Sequence, residues 1–305
     1  MMRKYKGIDI GRIIFACLIP LLHIGMSDQI SLVVKQYVSR LGVPFFFAVS
    51  GMFLSKSVEK NGSVAALKKY AVKIGRMLLI WLVIYLPILM LRQEGVAIRE
   101  IIFKTPAYLW YLTALLVASV PFCLVKNRKG LLYVSLALYA FGTMFGETYS
   151  WLTGGLPTYE SVFITTRNGI FFGLPMMCIG EASWDREKIS LPGMLINGGV
   201  FIAEVTFVCR YSEPGSMYLA LPGLIYFLVI AFRNWGPVVN TTRFAGISSA
   251  IYLMQFGVIT IVMKVAEVVG ITGGWIHWFA WLMVMAVPTA FYLLFQKTRV
   301  AKILF

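Results

Sequence analysis

Apolar residues in this chain gather in long runs separated by short polar breaks, and acidic and basic residues concentrate in the breaks. Ten runs stand out, at about residues 7–26, 40–55, 70–91, 107–125, 130–146, 163–181, 191–209, 216–233, 244–269 and 275–295. Crossing a hydrocarbon core of about 30 Å takes roughly 20 apolar residues wound as a helix. Lipid offers the backbone no hydrogen-bonding partner, so each crossing segment must satisfy its own N–H and C=O groups. The pattern therefore predicts an all-α polytopic membrane protein with about ten transmembrane helices. The second run is short and follows a polar amphipathic stretch, Ser31 to Ser39, which predicts a broken or tilted helix. The fifth run is marginal in length. Two polar stretches, Val96 to Lys104 and Thr153 to Ser161, fall on the outer side and read as surface helices or lids.

Composition agrees with this pattern. The 305 residues are 59% hydrophobic and only 13% charged, outside the range of soluble globular domains. The formal net charge of +15 raises the question of nucleic acid, but the cations follow the loops and form no single basic face interleaved with aromatics. With the N-terminus inside, nineteen of the 28 Lys and Arg residues fall on the cytoplasmic side, among them Lys6, Lys56, Lys60, Arg128, Arg186, Arg233 and Lys297. Ten crossings with both termini cytoplasmic satisfy the positive-inside rule, and the expected location is the cell (plasma) membrane. The densest cluster, Lys68, Lys69, Lys73 and Arg76, suits anionic lipid and equally a polyphosphate ligand.

The basic N-terminus imitates a signal peptide, but no small-residue cleavage pattern follows and nine further runs do, so the first run is expected to be retained. Cys17, Cys123, Cys178 and Cys209 lie in apolar runs without Cys-x-x-Cys spacing, which points to packing rather than metal or disulfides. No internal repeat or soluble linker interrupts the chain, and residues 1–305 read as one membrane domain.

Arg12 and His23 are the candidate chemistry of the first run. Eleven residues at about 100° each make about three turns, so a uniform helix puts both on one face, about 16 Å apart along the membrane normal. An intramembrane guanidinium and imidazole must face a partner or water, which makes the pair a candidate functional site. Lys6, Asp9 and Arg12 follow at three-residue spacing, so Asp9 is placed to pair with Arg12. Pro20 removes a backbone donor, frees the Ala16 carbonyl and predicts a kink beside the imidazole. The structural alternative for His23 is a buried neutral ring bonded to a carbonyl. Neither His23 nor His277 has metal-ligand company, and no metal is expected.

KGIDIGRIIFACLIPLLH, with ten residues between Arg12 and His23, resembles the R-x10-H signature that opens the acyltransferase-3 family of membrane O-acyltransferases. RLGVPFFFAVSGMF from Arg40, with Ser50 and Gly51, is similar to the family's second helix, and Lys73 with Arg76 resembles its basic element at helix three. LWYLTALL from Leu109, TTRNGIFFGLPMMCIG from Thr165 and AIYLM from Ala250 follow in family order. More narrowly, TRNGIFF, Glu204 and SMYLALP from Ser216 look like the membrane domain of VanT-type serine racemases of glycopeptide resistance, which carry a cytoplasmic racemase domain after the membrane part. This sequence stops at Phe305, as a stand-alone relative or a truncated one. Gln255 stands where many family members have His, which puts a proton-transfer role there in doubt.

The resemblance implies an acyl-CoA donor, with acetyl the expected group, entering from the cytosol. Lys73, Arg76 and Arg12 would hold its phosphates, since guanidinium suits phosphate bidentately. His23 would act as general base on a hydroxyl or amino-acid acceptor arriving from outside, and Glu204 at similar depth would orient it. The alternative for Glu204 is a carboxylate capping a neighbouring helix. Arg167 and Asn168 would hold an oxyanion or an acidic acceptor, with outer-headgroup snorkelling the alternative for Arg167. Trp110 and Tyr111 would line the acceptor mouth or serve as belt aromatics. Lys264, with Glu267 three residues on, is expected to snorkel, and Ser50 with Gly51 to mark close helix packing. A second functional class is a transport or uptake domain for a small polar molecule such as serine, the membrane part of a serine racemase. A plain anchor for an absent catalytic domain ranks last, because each intramembrane ionisable group costs about 3 kcal/mol on insertion scales.

Overall fold

The computed structural model describes residues 5–25, 28–91, 109–146, 148, 149, 152, 167–184, 186, 188–211, 215–235 and 243–305. The stretches Val96 to Lys104 and Thr153 to Ser161 lie outside these described residues, as do Arg3, Lys4 and Arg92. Within them every regular element is helical: α1 Lys6–Leu18, α2 Gln29–Val33, α3 Gly42–Asn61, α4 Ser63–Leu91, α5 Trp110–Leu124, α6 Arg128–Phe145, α7 Leu174–Ala182, α8 Leu191–Tyr211, α9 Leu221–Asn234, α10 Arg243–Val269, α11 Trp275–Phe295 and α12 Arg299–Leu304. Five stretches are long and apolar enough to cross a membrane: Gln29–Asn61, Ser63–Ile88, Leu191–Tyr211, Ala245–Val269 and Trp275–Phe295. Trp110–Leu124, Gly169–Ala182 and Leu221–Asn234 are shorter apolar helices. Large aliphatic side chains stand on outer helix surfaces, Val83 at 70% and Leu195 at 63% exposure, as lipid contact allows and water does not. The chain is a multi-pass membrane protein.

The second apolar run is a broken helix. From Gln29 the chain passes through α2, a π turn at Val34–Val38 and a 3₁₀ turn at Ser39–Leu41 before α3 begins. Asp28 caps the start of α2, its carboxylate accepting from the Ser31 amide at 2.9 Å and the Ser31 hydroxyl at 2.8 Å. Those bonds, the backbone one foremost, hold its carboxyl below the ordinary range.

The chain divides into two compact units, one of Met1–Gly42, Met77–Ile101 and Gly236–Phe305, the other of Val43–Arg76 and Ile102–Trp235. In the first, α1 packs along α10 and α10 along α11. Buried and part-buried polar aromatics tie helices of this unit through backbone carbonyls, as such groups must in an apolar interior. The Tyr85 hydroxyl donates to the Leu253 carbonyl, Trp81 Nε1 to Leu304 at 3.0 Å, and Trp281 Nε1 to Cys17 at 2.8 Å.

The second unit is built on a close crossing of α3 and α7. A Cβ on Gly51 would fall 2.1 Å from the Met177 carbonyl oxygen, and one on Gly180 would fall 1.7 Å from that of Ala48. Small residues let backbones touch where lipid supplies no hydrophobic drive between helices. Phe47, buried beside this crossing, meets Tyr111 at 4.6 Å and Phe172 at 5.7 Å, both edge-on. At one end of the unit Arg128 bonds Glu181 at 2.6 Å, and the cations of Lys56 and Arg233 lie 4.8 and 5.5 Å from the Trp184 ring.

Gly51→Val and Gly180→Val should each destabilise the protein by about 3 kcal/mol or more, because rigid backbone stands where the side chain must go. Gly198→Ala, on an open stretch of α8 with nothing within 4 Å, should be neutral or stabilising by up to about 1 kcal/mol. Folded yield and melting temperature of the three variants in one detergent check this contrast.

Candidate functional site

In the first unit, α1 carries Arg12 and its C-terminal extension carries His23. Arg12 Nη1 lies 3.7 Å from Asp9 Oδ1, with the two side chains 22% and 10% exposed. The expected local pair is therefore present, at the distance of a loose ion pair rather than a tight hydrogen bond. The α-helix ends at Leu18, and Pro20 opens a 3₁₀ turn over Ile19–Leu22. His23 follows that turn, partly buried, with its backbone N–H on the Pro20 carbonyl at 2.9 Å.

This winding alters the expected register. A 3₁₀ residue turns about 120° and rises about 2.0 Å, against about 100° and 1.5 Å in an α-helix. Over Ile19–Leu22 the tighter winding rotates His23 by about 80° beyond a uniform helix and extends its separation from Arg12 along the axis to about 18 Å. Arg12 and His23 share one helix, but not one straight stripe. The carbonyl that a side chain takes up beside the turn is that of Cys17, through Trp281.

In the second unit, Glu204 of α8 accepts from three donors. The Tyr149 hydroxyl lies at 2.9 Å, the Leu219 amide at 2.6 Å and the Ala220 amide at 2.9 Å. Ala220 is the residue before α9, so the carboxylate sits on orphan amides at a helix N-terminus, the capping geometry foreseen as its alternative role. Burial first, then the Glu204 charge, push the Tyr149 phenol above its ordinary range and keep it a donor. The same turn is held from other sides: the Tyr139 hydroxyl donates to the Tyr218 carbonyl at 2.9 Å, and Thr148 donates to that of Met217. Arg167 Nη1 reaches the Ser216 hydroxyl at 3.3 Å.

Arg167 and Trp110 come together, since the Arg167 guanidinium lies over the Trp110 ring at 5.1 Å. Asn168 Oδ1 accepts from the Ile170 and Phe171 amides at 2.8 and 3.0 Å, capping the π turn Gly169–Gly173 that leads into α7. Tyr111 is a core residue, buried against Phe47 and within 3.2 Å of the Ser50 hydroxyl. Lys73 and Arg76 are exposed on α4. With Lys69 they repeat at i, i+4 and i+7, one basic face. Lys264 pairs with Glu267 at 2.9 Å, both well exposed, as its spacing implied. Among the described residues no three His, Cys, Asp or Glu side chains gather as metal ligands would. Sequence reasoning missed Tyr139, Thr148 and Tyr149, whose only signal was a few hydroxyls in or beside apolar runs, and had Ser216 only as the first residue of a motif.

A family model described as an acyltransferase domain matches residues 5–295, so one match takes in all of the second compact unit and most of the first. An amino-acid racemase of Enterococcus faecalis is 26% identical over 304 residues, covering 89% of this chain and 43% of the relative. A serine/alanine racemase of Enterococcus gallinarum is 26% identical over 272 residues, covering 77% of this chain and 38% of the relative. The chain thus spans less than half the length of these relatives. No solved structure matches it significantly. With the match running from the start of α1 to the end of α11 and taking in both Arg12 and His23, the chain belongs to the acyltransferase-3 family of membrane acyltransferases.

Proposed function

We propose that the protein moves an acyl group, acetyl foremost, from cytosolic acyl-CoA to a hydroxyl-bearing acceptor at the outer face of the membrane. The observation that carries this reading is the family match spanning Arg12 and His23 with their ten-residue spacing intact. In this scheme the helices cross ten times with both termini cytoplasmic, and residues 1–305 work as one domain. The meeting of Lys56, Arg128 and Arg233 with Trp184 and Glu181 at one end of the second unit, and of Arg167 and Tyr149 with Ser216 and Glu204 around another turn, supports such a sided arrangement.

Donor phosphates are held by Arg12, Lys73 and Arg76. His23 takes the acceptor's hydroxyl proton as the oxygen attacks the thioester carbonyl. The carbon–sulfur bond then breaks and the thiolate leaves as coenzyme A, collecting a proton. Arg167, with Asn168, Trp110 and Tyr111, serves the acceptor side, and the cation over the Trp110 ring favours an acceptor bearing a carboxylate. Glu204 contributes either by orienting His23 or by holding the turn before α9. Its three hydrogen bonds favour the second role.

The racemase names of the relatives support a second reading, in which the chain handles an amino acid such as serine for uptake. Labelled serine entering vesicles without any dependence on CoA is the result that would install it.

With acetyl-CoA and purified protein, His23→Ala should lose about 10²-fold or more in acyl transfer or thioester hydrolysis while melting unchanged. Arg12→Ala should chiefly raise KM for the donor. Wild-type rates in the His23 variant would end the general-base reading. Glu204→Ala should lower stability by about 1–3 kcal/mol by stranding the Leu219 and Ala220 amides, and Glu204→Gln should recover most of it. A Glu204→Gln variant that melts normally but loses about 10²-fold in rate would instead assign the carboxylate to the chemistry.

A further inference from the structure

Gln255 of α10 is 0% exposed, and among the described residues neither its amide oxygen nor its amide nitrogen has a hydrogen-bond partner. A carboxamide offers two donors and an acceptor, and folded proteins rarely bury one with all of them unspent. The neighbours of Gln255 along α10, Ile251, Leu253, Phe256 and Val258, are apolar and buried. Evolution of a membrane core toward stability alone would put an aliphatic side chain here, as replacing unpaired buried polar groups by apolar ones of similar shape is neutral or stabilising.

Three contacts, all inside the first unit, set the depth of this amide. Tyr292 of α11 lies against Gly246 of α10, where a Cβ would fall 2.0 Å from the ring. About three turns along α11, Trp281 donates to the Cys17 carbonyl at 2.8 Å. One turn further, His277 Cε1 lies 3.8 Å from a Cβ built on Gly25. As α11 descends in number from Trp281 to His277, α1 and its extension rise from Cys17 to Gly25, so the two run antiparallel. α10 is antiparallel to α11 through the short turn between them and is therefore parallel to α1. Counting from Gly246 and Tyr292, Gln255 lies within about one turn of the level of Arg12 to Phe15, on the Arg12 side of His23. Nine residues at about 100° also place it half a turn away from the face of α10 that meets α11 at Gly246.

We propose that the Gln255 carboxamide binds an amide of the donor's pantetheine arm. The inference rests on the acyl-CoA reading and adds to it the group that holds the donor between its two ends. Arg12, anchored by Asp9, receives phosphate, and His23 stands where the thioester arrives. The part of coenzyme A that spans this interval is a flexible chain whose only polar groups, besides one hydroxyl, are two secondary amides. A trans secondary amide points its N–H and C=O in opposite directions, so Gln255 Nε2 donates to the carbonyl of one arm amide while its Oε1 accepts from the N–H of the other, and both unspent ends of Gln255 are satisfied. The same geometry disfavours a free amino acid or an inorganic anion, because a neutral side chain supplies no counter-charge.

The test compares coenzyme A with 3′,5′-ADP, the nucleotide half that lacks the arm, on the full chain in nanodiscs, using wild type, Gln255→Leu and Gln255→Met. Wild type should bind CoA more tightly than 3′,5′-ADP. Both variants should lose about tenfold in CoA affinity, keep their affinity for 3′,5′-ADP, and melt without ligand at or above the wild-type temperature. The KM for acetyl-CoA should rise with CoA Kd while kcat changes little. Unchanged CoA affinity in both variants overturns the proposal, and so does an equal loss for both ligands accompanied by a lower melting temperature, which marks a merely structural amide. A wild-type protein that binds neither ligand overturns the acyl-CoA reading itself, a result distinct from either of these.

Discussion

A polar group in hydrocarbon must find a partner inside the protein, and the architecture follows from that constraint. It makes the backbone helical along nearly every described element, because only a helix satisfies its own amides within one segment. It sends Trp81, Trp281 and Tyr85 to main-chain carbonyls of Leu304, Cys17 and Leu253, so the same bonds that relieve buried donors also fasten one helix to the next. It also removes the force that packs soluble cores. With lipid as apolar as leucine, helices hold together where they can approach closely, and Gly51 on Met177 and Gly180 on Ala48 are such places.

The same rule sorts the ionisable residues by what they do. Glu204 spends its carboxylate on a tyrosine and two orphan amides, and Arg128 spends its guanidinium on Glu181. Arg12 has a longer ion pair, with Asp9 Oδ1 at 3.7 Å and a side chain 22% exposed. Gln255 stands at the far end of this scale, fully buried with both amide atoms unspent.

Helix one shows how local chemistry shapes a site. Its first three turns are ordinary α-helix, with Gly11, Phe15 and Ala16 buried. Proline then forces a tighter turn, and His23 emerges rotated from the line that begins at Arg12. Trp281 answers the disturbed backbone from α11, binding the defect into the packing of the first unit.

Much of this was legible without coordinates. Ten apolar runs announced helices, the polar stretch before Gly42 announced a broken one, and the spacing of Asp9 to Arg12 and of Lys264 to Glu267 announced local pairs, because each depends on neighbours within a turn or two. The R-x10-H signature with its companion motifs named the family, which the whole-chain match establishes. Tertiary structure decided what depends on residues far apart in number: that Glu204 meets Tyr149 and the turn before α9, that Arg167 covers Trp110, that Tyr111 belongs to the core, and that Gln255 is fully buried. Periodicity along a chain reports which way a side chain leaves its own helix. Which partner waits there is set by how separate helices cross, and that follows from close packing and hydrogen-bond satisfaction summed over the assembled bundle.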